Sequence, residues 1–248
     1  MRWNQSTKMY TAMPLYHGTA SILGVLPSVY QGGTLCLGYK FSLSSYWTQV
    51  KLTGANSIQY VGEVCRYLVD GPTTKDELFM RGKIRSAIGN GLRPDIWTKF
   101  KDRFGIFAIG EFYAASESPF ATTCYETNGV GIGCIRNYGW LASKAVKFEY
   151  NLVRMRDDDD NAIYRNADGF CEEPLPNVKG EMVTRVLNPK KIRNTFPGYV
   201  NNDEATYSKV IRDVFKKGDC YVRSDDLMKW DEMGCLHFVD QLMKLNNV

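Results

Sequence analysis

Along the first half of the chain, short apolar runs alternate with segments whose apolar residues return every three or four positions. "MYTAMPLYH" (9–17) is apolar up to Pro14, the pattern of a buried strand. "GGTLCLGYKF" (32–41) repeats that pattern after a Gly-Gly turn. "SSYWTQVKL" (44–52) opens on a serine cap signal and predicts a helix. In "YVGEVCRYLV", Val61, Val64, Cys65 and Leu68 stand at i, i+3, i+4 and i+7, one face of an amphipathic helix. "RPDIWTKFKDRFG" predicts another: Pro94 suits the first turn, Ile96, Phe100 and Phe104 share a face, and Gly105 ends it. Strands alternating with helices predict an α/β layered fold with a largely parallel sheet.

After about Gly133 the period shortens to two. In "AVKFEYNL", Val146, Phe148, Tyr150 and Leu152 alternate with Lys147, Glu149 and Asn151. "GEMVTRV" and "GCLHFVD" are similar short strands. The pattern predicts a small antiparallel β subdomain over 134–241, following an α/β part over 1–133, with 242–248 as a tail. Asp157 to Asp160 reads as a solvated loop, because it lacks the spaced ligands and internal glycine of a calcium loop.

Charge and composition narrow the function classes. With 31 Lys+Arg against 27 Asp+Glu, basic charge is not concentrated as nucleic-acid binding requires. The stretch Met9–Tyr39 holds no charged residue, which raises the question of a membrane span. Two prolines and five glycines interrupt it, so buried strands and turns are the better expectation. No apolar leader core follows the N-terminal charge. Seven cysteines, an odd number without a CxxC pair, read as reduced, buried thiols of an intracellular protein. His17 and His237 lack ligand spacing, so no zinc site is expected.

Three stretches could carry chemistry. "GEFYAASES" (110–118) follows an apolar strand, where α/β proteins bind ligands. Tyr113 offers a ring to stack on, Ala114 and Ala115 allow close approach, Ser116 is a donor and Glu117 a Mg²⁺ ligand, a set that suits a nucleotide. A strand-to-helix turn with a serine cap explains it equally. "AIGNGLRPDIW" places Gly89 and Gly91 around Asn90, either for a tight turn or for close approach to a ligand. His17, in "MPLYHG", reads as a hydrogen-bonded core histidine or as a catalytic base.

In order along the chain, "PLYHGTASILG", "YVGEVCRYLVDGP", "GNGLRPDIWTKFKDRFGI", "GEFYAASE", "LPNVKGEMVTRV", "KKGDCYVRSDDL" and "GCLHFVD" resemble the adenylate-forming (AMP-binding) enzymes. The resemblance is to their fatty acid transport protein and very-long-chain acyl-CoA synthetase branch, fungal in flavour, and covers residues 9–241. It implies that a fatty acid carboxylate attacks the α-phosphorus of ATP, and that the CoA thiol then displaces AMP. By the same resemblance Tyr113 packs on adenine, Ser116 bonds phosphate and Glu117 holds Mg²⁺. Gly89, Asn90 and Gly91 border adenine and acyl chain, His17 lines the acyl or carboxylate pocket, and Asp226 accepts the ribose hydroxyls. ATP or AMP, Mg²⁺ and CoA are the implied cofactors, and fatty acid the implied partner. Association with a membrane of the endoplasmic reticulum, peroxisome, lipid droplet or cell surface is implied by resemblance alone.

The departures carry expectations too. Ala114 and Ser116 replace a usual Gly and Thr, Asp225 stands where the family has Gly, and Gln241 where it has a ribose-contacting Arg. The family's phosphate loop is expected upstream of "MYTAMPLYH", and its C-terminal domain after "FVD"; neither is in this chain. Each lost charge-assisted bond is worth roughly 1.5–3 kcal/mol. The expectation is therefore an incomplete adenylation domain, a fragment or degenerate copy of a fatty acid–CoA ligase that is inactive alone. The alternative is a non-enzymatic nucleotide- or acyl-binding remnant.

Overall fold

The computed structural model describes residues 3–115, 119–139, 141–142, 149–159 and 161–242. The chain divides into two compact units, Met1–Tyr113 with Thr123–Gly133, and Ala114–Thr122 with Cys134–Val248.

The first unit is built on a sheet of strands β1 (Lys8–Thr11), β2 (Thr34–Leu37), β3 (Ser57–Val61), β4 (Ser86–Asn90), β5 (Ala108–Ala114) and β6 (Ala121–Glu126), in the order β2-β1-β3-β4-β5-β6. The pairs from β2 to β5 are all parallel. Parallel neighbours need crossovers, and helices α3 (Tyr46–Thr53), α4 (Gly62–Asp70), α5 (Lys75–Met80) and α6 (Pro94–Phe104) supply them. Tyr46, Trp47, Cys65, Leu68, Ile96, Trp97, Phe100 and Phe104 pack into one core with Ile58, Tyr60, Ala87 and Ile109 of the sheet.

The helix ends follow their sequence signals. Thr74 and Glu77 close a reciprocal capping box at α5. Pro94 begins α6, and Gly105 ends it at φ 62°. Arg103, in the last turn of α6, donates to the buried Glu77 carboxylate and to the carbonyls of Val69 and Gly71 that end α4. One guanidinium therefore ties three helices together.

The charge-free stretch is not strands and turns alone. Between β1 and β2 lie α1 (Gly18–Ala20), a π-helical turn (Ser21–Val25) and α2 (Leu26–Gln31). Uncharged residues gave this helical run no polar face to read. Leu26, Val29 and Tyr30 are exposed. No helix among the described residues is long and apolar enough to cross a membrane.

The second unit carries an antiparallel sheet, β11 (Leu236–Gln241), β10 (Cys220–Trp230), β8 (Gly180–Arg185) and β7 (Tyr150–Arg154), with β9 (Val210–Arg212) also paired to β10. The short helix α7 (Asp203–Ser208), capped by Asn202, precedes β9. Val146, Lys147 and Phe148 of the expected alternating strand lie outside the described residues. In the described part the alternation fails: Asn151, Leu152 and Val153 are all buried, as are residues 180–184 of β8. Both faces of these strands are covered, so period two cannot show in burial. Asp157 and Asp158 are exposed and pair with Arg154 and Arg156; Asp160 lies outside the described residues.

Candidate functional site

In the first unit the candidate residues gather where parallel strands end. Gly89 and Asn90 close β4, and Tyr113 lies one residue from the end of the neighbouring β5. Gly89 is forced by its neighbours: a Cβ there would sit 2.0 Å from the Tyr60 carbonyl oxygen on β3. Gly91 adopts φ 75°, a conformation that favours glycine. Gly62 is equally constrained, since its Cβ would meet the Gly91 oxygen at 1.7 Å. Each glycine of the turn thus has a sufficient backbone reason.

His17 is exposed rather than in the core, because it caps α1. Its Nδ1 accepts from the Thr19 N–H at 3.2 Å, which places the ring proton on Nε2. The next residue to matter is Thr19, which the sequence reading passed over. Its hydroxyl donates to Asn90 Oδ1 at 2.7 Å, and its carbonyl accepts from Gln59 Nε2 at 3.0 Å. "PLYHGTA" and "GNG", seventy-one residues apart from Thr19 to Asn90, are therefore joined by one hydrogen bond. With Oδ1 engaged, Asn90 presents its amide N–H₂ as a donor. Tyr113 is half-buried. Ser116 and Glu117 lie outside the described residues.

Beneath the turn sits Glu111, a second residue the motif reading missed. It is buried, its Oε1 accepts from the Leu92 N–H at 3.1 Å, and Oε2 lies 2.5 Å from the Tyr60 hydroxyl. Burial raises its pKa to about 8, against the lowering effect of the Tyr60 and backbone hydrogen bonds. The neutral acid also satisfies every partner. Tyr60 donates to the ionised Glu111 Oε2; once Glu111 is protonated it can donate to Tyr60 instead, freeing the Tyr60 hydroxyl for the Gly110 carbonyl at 3.1 Å, while Leu92 donates to Glu111 in either form. The signal was available: a lone carboxylate inside the apolar run "FGIFAIGEFY".

The first unit also carries an apolar groove of about 790 Å³, lined in part by Leu23, Leu26, Pro27, Tyr30 and Ile88. Ile88 immediately precedes the Gly89–Gly91 turn.

In the second unit Asp226 is buried, and its N–H donates to Ser224 Oγ at 3.1 Å. Across the ladder it faces Gln241. Asp225 has φ 62°, at a register shift between Arg223 and Leu227 in the pairing of β10 with β8. A left-handed backbone is one that glycine adopts without strain, which suits the glycine that the resemblance implies at this position. Asp225 is no metal partner of Asp226: its carboxylate pairs with Lys209, and its N–H donates to Glu181 Oε1 at 3.1 Å. Glu181 is itself buried against Arg223.

Comparison with known proteins gives a consistent picture. A family model described as AMP-binding enzyme matches residues 1–185. The chain is 51% identical over 239 residues to the very long-chain fatty acid transport protein of Saccharomyces cerevisiae, covering 96% of this chain and 35% of that protein. To the protein of the same name from Cochliobolus heterostrophus it is 39% identical, covering 95% and 36%. The chain thus spans about a third of the length of these relatives. Among solved structures, ATP-bound MatB from Rhodopseudomonas palustris superposes with a TM-score of 0.65 at 18% identity, over 96% of this chain and 41% of that one. That likeness bears out the expected fold, a parallel α/β part and an antiparallel sheet of an adenylate-forming enzyme.

Proposed function

Because the chain belongs to the AMP-binding enzyme family, in its fatty acid transport protein branch, we propose that it supplies the nucleotide- and acyl-facing part of an ATP-dependent long-chain fatty acid–CoA ligase. The observation that carries this reading is the convergence of Asn90, Tyr113 and His17 at the carboxyl ends of adjacent parallel strands and the loop after β1, where α/β sheets bind ligands. Tyr113 offers its ring to adenine, and the Asn90 amide offers a donor beside it. The groove next to Ile88 has the volume and apolar lining of a small-molecule site and suits an acyl chain.

In the second unit, the buried carboxylate of Asp226 is the proposed ribose acceptor, its two oxygens matching two hydroxyls. Mg²⁺ would rest on Glu117 and supply charge neutralisation on the phosphates. Ser116 would donate to phosphate. CoA is the proposed second substrate.

AMP or ATP binding should raise the melting temperature, because a ligand bound only by the folded state stabilises it by about 2.7 kcal/mol at a hundredfold excess over Kd. GTP should do less, and Tyr113→Ala and Asp226→Asn should remove the shift. No shift with millimolar AMP, or an equal shift in both variants, sinks the assignment. Fatty-acid-dependent ATP–pyrophosphate exchange then separates the two readings. A non-enzymatic binding module would bind without exchanging, and Gln241 opposite Asp226, in place of the arginine that the resemblance implies, is the observation that favours that second reading.

A further inference from the structure

The second unit holds a side-chain cluster that the nucleotide chemistry does not use. Cys134 Sγ, a carboxylate oxygen of Asp231 and Cys235 Sγ all lie within 4.8 Å of one another. His237 borders this group without meeting all three donors: its Nε2 is 3.3 Å from Cys134 Sγ and 3.1 Å from Asp231 Oδ2, on the side away from Cys235. Both cysteines are buried, and His237 and Asp231 are partly so.

The backbone builds this cluster. Asp231 Oδ1 accepts from the N–H groups of Met233 and Cys235 at 2.9 and 2.8 Å, which closes the turn into β11 and leaves Oδ2 facing His237. Cys235 and His237 are two residues apart along extended chain, so their side chains leave the same side. Cys134 arrives from elsewhere. Ile135 N–H donates to Leu236 O at 2.8 Å, and Leu236 N–H donates to Arg136 O at 2.9 Å. That short ladder sets Cys134 against His237, 103 residues away in sequence.

Thiol hydrogen bonds join Cys235 to Cys134 and to Asp231, but a proton relay accounts for the place of the histidine poorly. A relay from a cysteine through histidine to a carboxylate needs both ring nitrogens, one for each partner. Here Cys134 and Asp231 both approach Nε2, and Nδ1 is 3.8 Å from Cys134 Sγ. One nitrogen carries at most one proton, so it cannot serve both fully. Three donor atoms within 4.8 Å of one another, with an imidazole alongside, are instead what a metal ion can draw together. Tetrahedral zinc, with bonds of about 2.3 Å to sulfur and 2.0–2.1 Å to nitrogen and oxygen, sets its ligand atoms roughly 3.3–3.8 Å apart. The edges from His237 to Cys134 and to Asp231 fall within a few tenths of an ångström of that range. Two thiolates and an imidazole select a borderline-soft ion over magnesium or calcium.

We infer that Cys134, Asp231 and Cys235 hold a structural Zn²⁺, with the neighbouring His237 ring turning in as the fourth ligand, and that the ion clips the β10–β11 turn to the segment beginning at Cys134. All four positions are protein ligands, so the site holds shape rather than performing chemistry. Binding releases the thiol protons, so affinity falls as pH is lowered. Without the ion, burial holds the Cys235 thiol above its ordinary range.

The test is metal content and Co²⁺ substitution of the whole chain purified under reducing conditions. One zinc per chain should survive dialysis. The Co²⁺ form should show thiolate charge-transfer absorption and the intense visible bands of a tetrahedral site. Cys134→Ser and Cys235→Ser should each remove one sulfur contribution, Asp231→Asn should shift the visible bands while keeping the charge transfer, and Cys36→Ser should change nothing. Chelation should lower the melting temperature of the wild type. Metal content and the Co²⁺ spectrum are read on the unmodified chain, so a variant that fails to fold does not shield the inference. Absence of stoichiometric metal and of a thiolate band overturns it, as does a Cys134–Cys235 disulfide in the purified chain.

Discussion

Replacing Glu111 with glutamine should flatten the pH dependence of stability across the neutral range. Glu111 has a folded-state pKa of about 8, whereas an exposed glutamate titrates near 4.5. Between those values the folded chain keeps a proton that the unfolded chain has lost. Stability therefore falls as pH rises through this window, by about 1.4 kcal/mol per unit, and levels off above the folded pKa. Over the whole window the loss is on the order of 5 kcal/mol, a large part of what holds a typical domain together. The amide of the Glu111→Gln variant cannot ionise. It can still accept from Leu92 and donate to Tyr60, with its second N–H left over at a cost of roughly 1–3 kcal/mol. The two stability curves should therefore cross, with the variant less stable near pH 5 and equal or more stable by pH 8. Urea unfolding at half-unit pH steps, followed through the buried Trp47 and Trp97 of the same core, reads the difference. Curves that run parallel from pH 5 to 8 would refute the neutral-acid network.

Three further outcomes follow from the same geometry. Arg103→Met should destabilise by about 3–5 kcal/mol, since it strands the buried Glu77 carboxylate; a loss under about 1 kcal/mol in denaturant unfolding would show that the three-helix tie is idle. Gly89→Ala should cost at least about 3 kcal/mol, above the usual range for overpacking, because the clashing Tyr60 oxygen is backbone and cannot swing away; near-native stability would contradict that contact. Asp225→Gly tests two opposed effects, relief of left-handed strain worth about 1–2 kcal/mol and loss of the Lys209 pair, whose rupture costs about 3–5 kcal/mol when buried. Net destabilisation is expected, and a gain in melting temperature would mean that strain outweighs the pair.

The amino-acid sequence by itself determined the elements whose signals are local. Helices α4 and α6 were legible because their apolar spacing and their Pro94 and Gly105 caps act within a few residues. The parallel α/β part, the β-rich second half and the family likeness followed from the same kind of order along the chain. The helical run through Gly18–Gln31 was not legible, because a segment without charge shows no contrast between faces. The alternation expected around Tyr150 failed because covering both faces of a strand erases the period.

Tertiary structure alone decided the chemistry of particular groups. The Glu111 pKa is raised to about 8 because the packing of β3 and of the turn after β4 buries it, against the hydrogen bonds of Tyr60 and Leu92. Thr19 meets Asn90 only through the packing of the loop after β1. His237 lacks ligand spacing in the sequence, yet a two-residue ladder delivers Cys134 to it from the far end of the unit. A pKa or a ligand set depends on which atoms share a few ångströms of space, and strand pairing sets that where sequence distance does not.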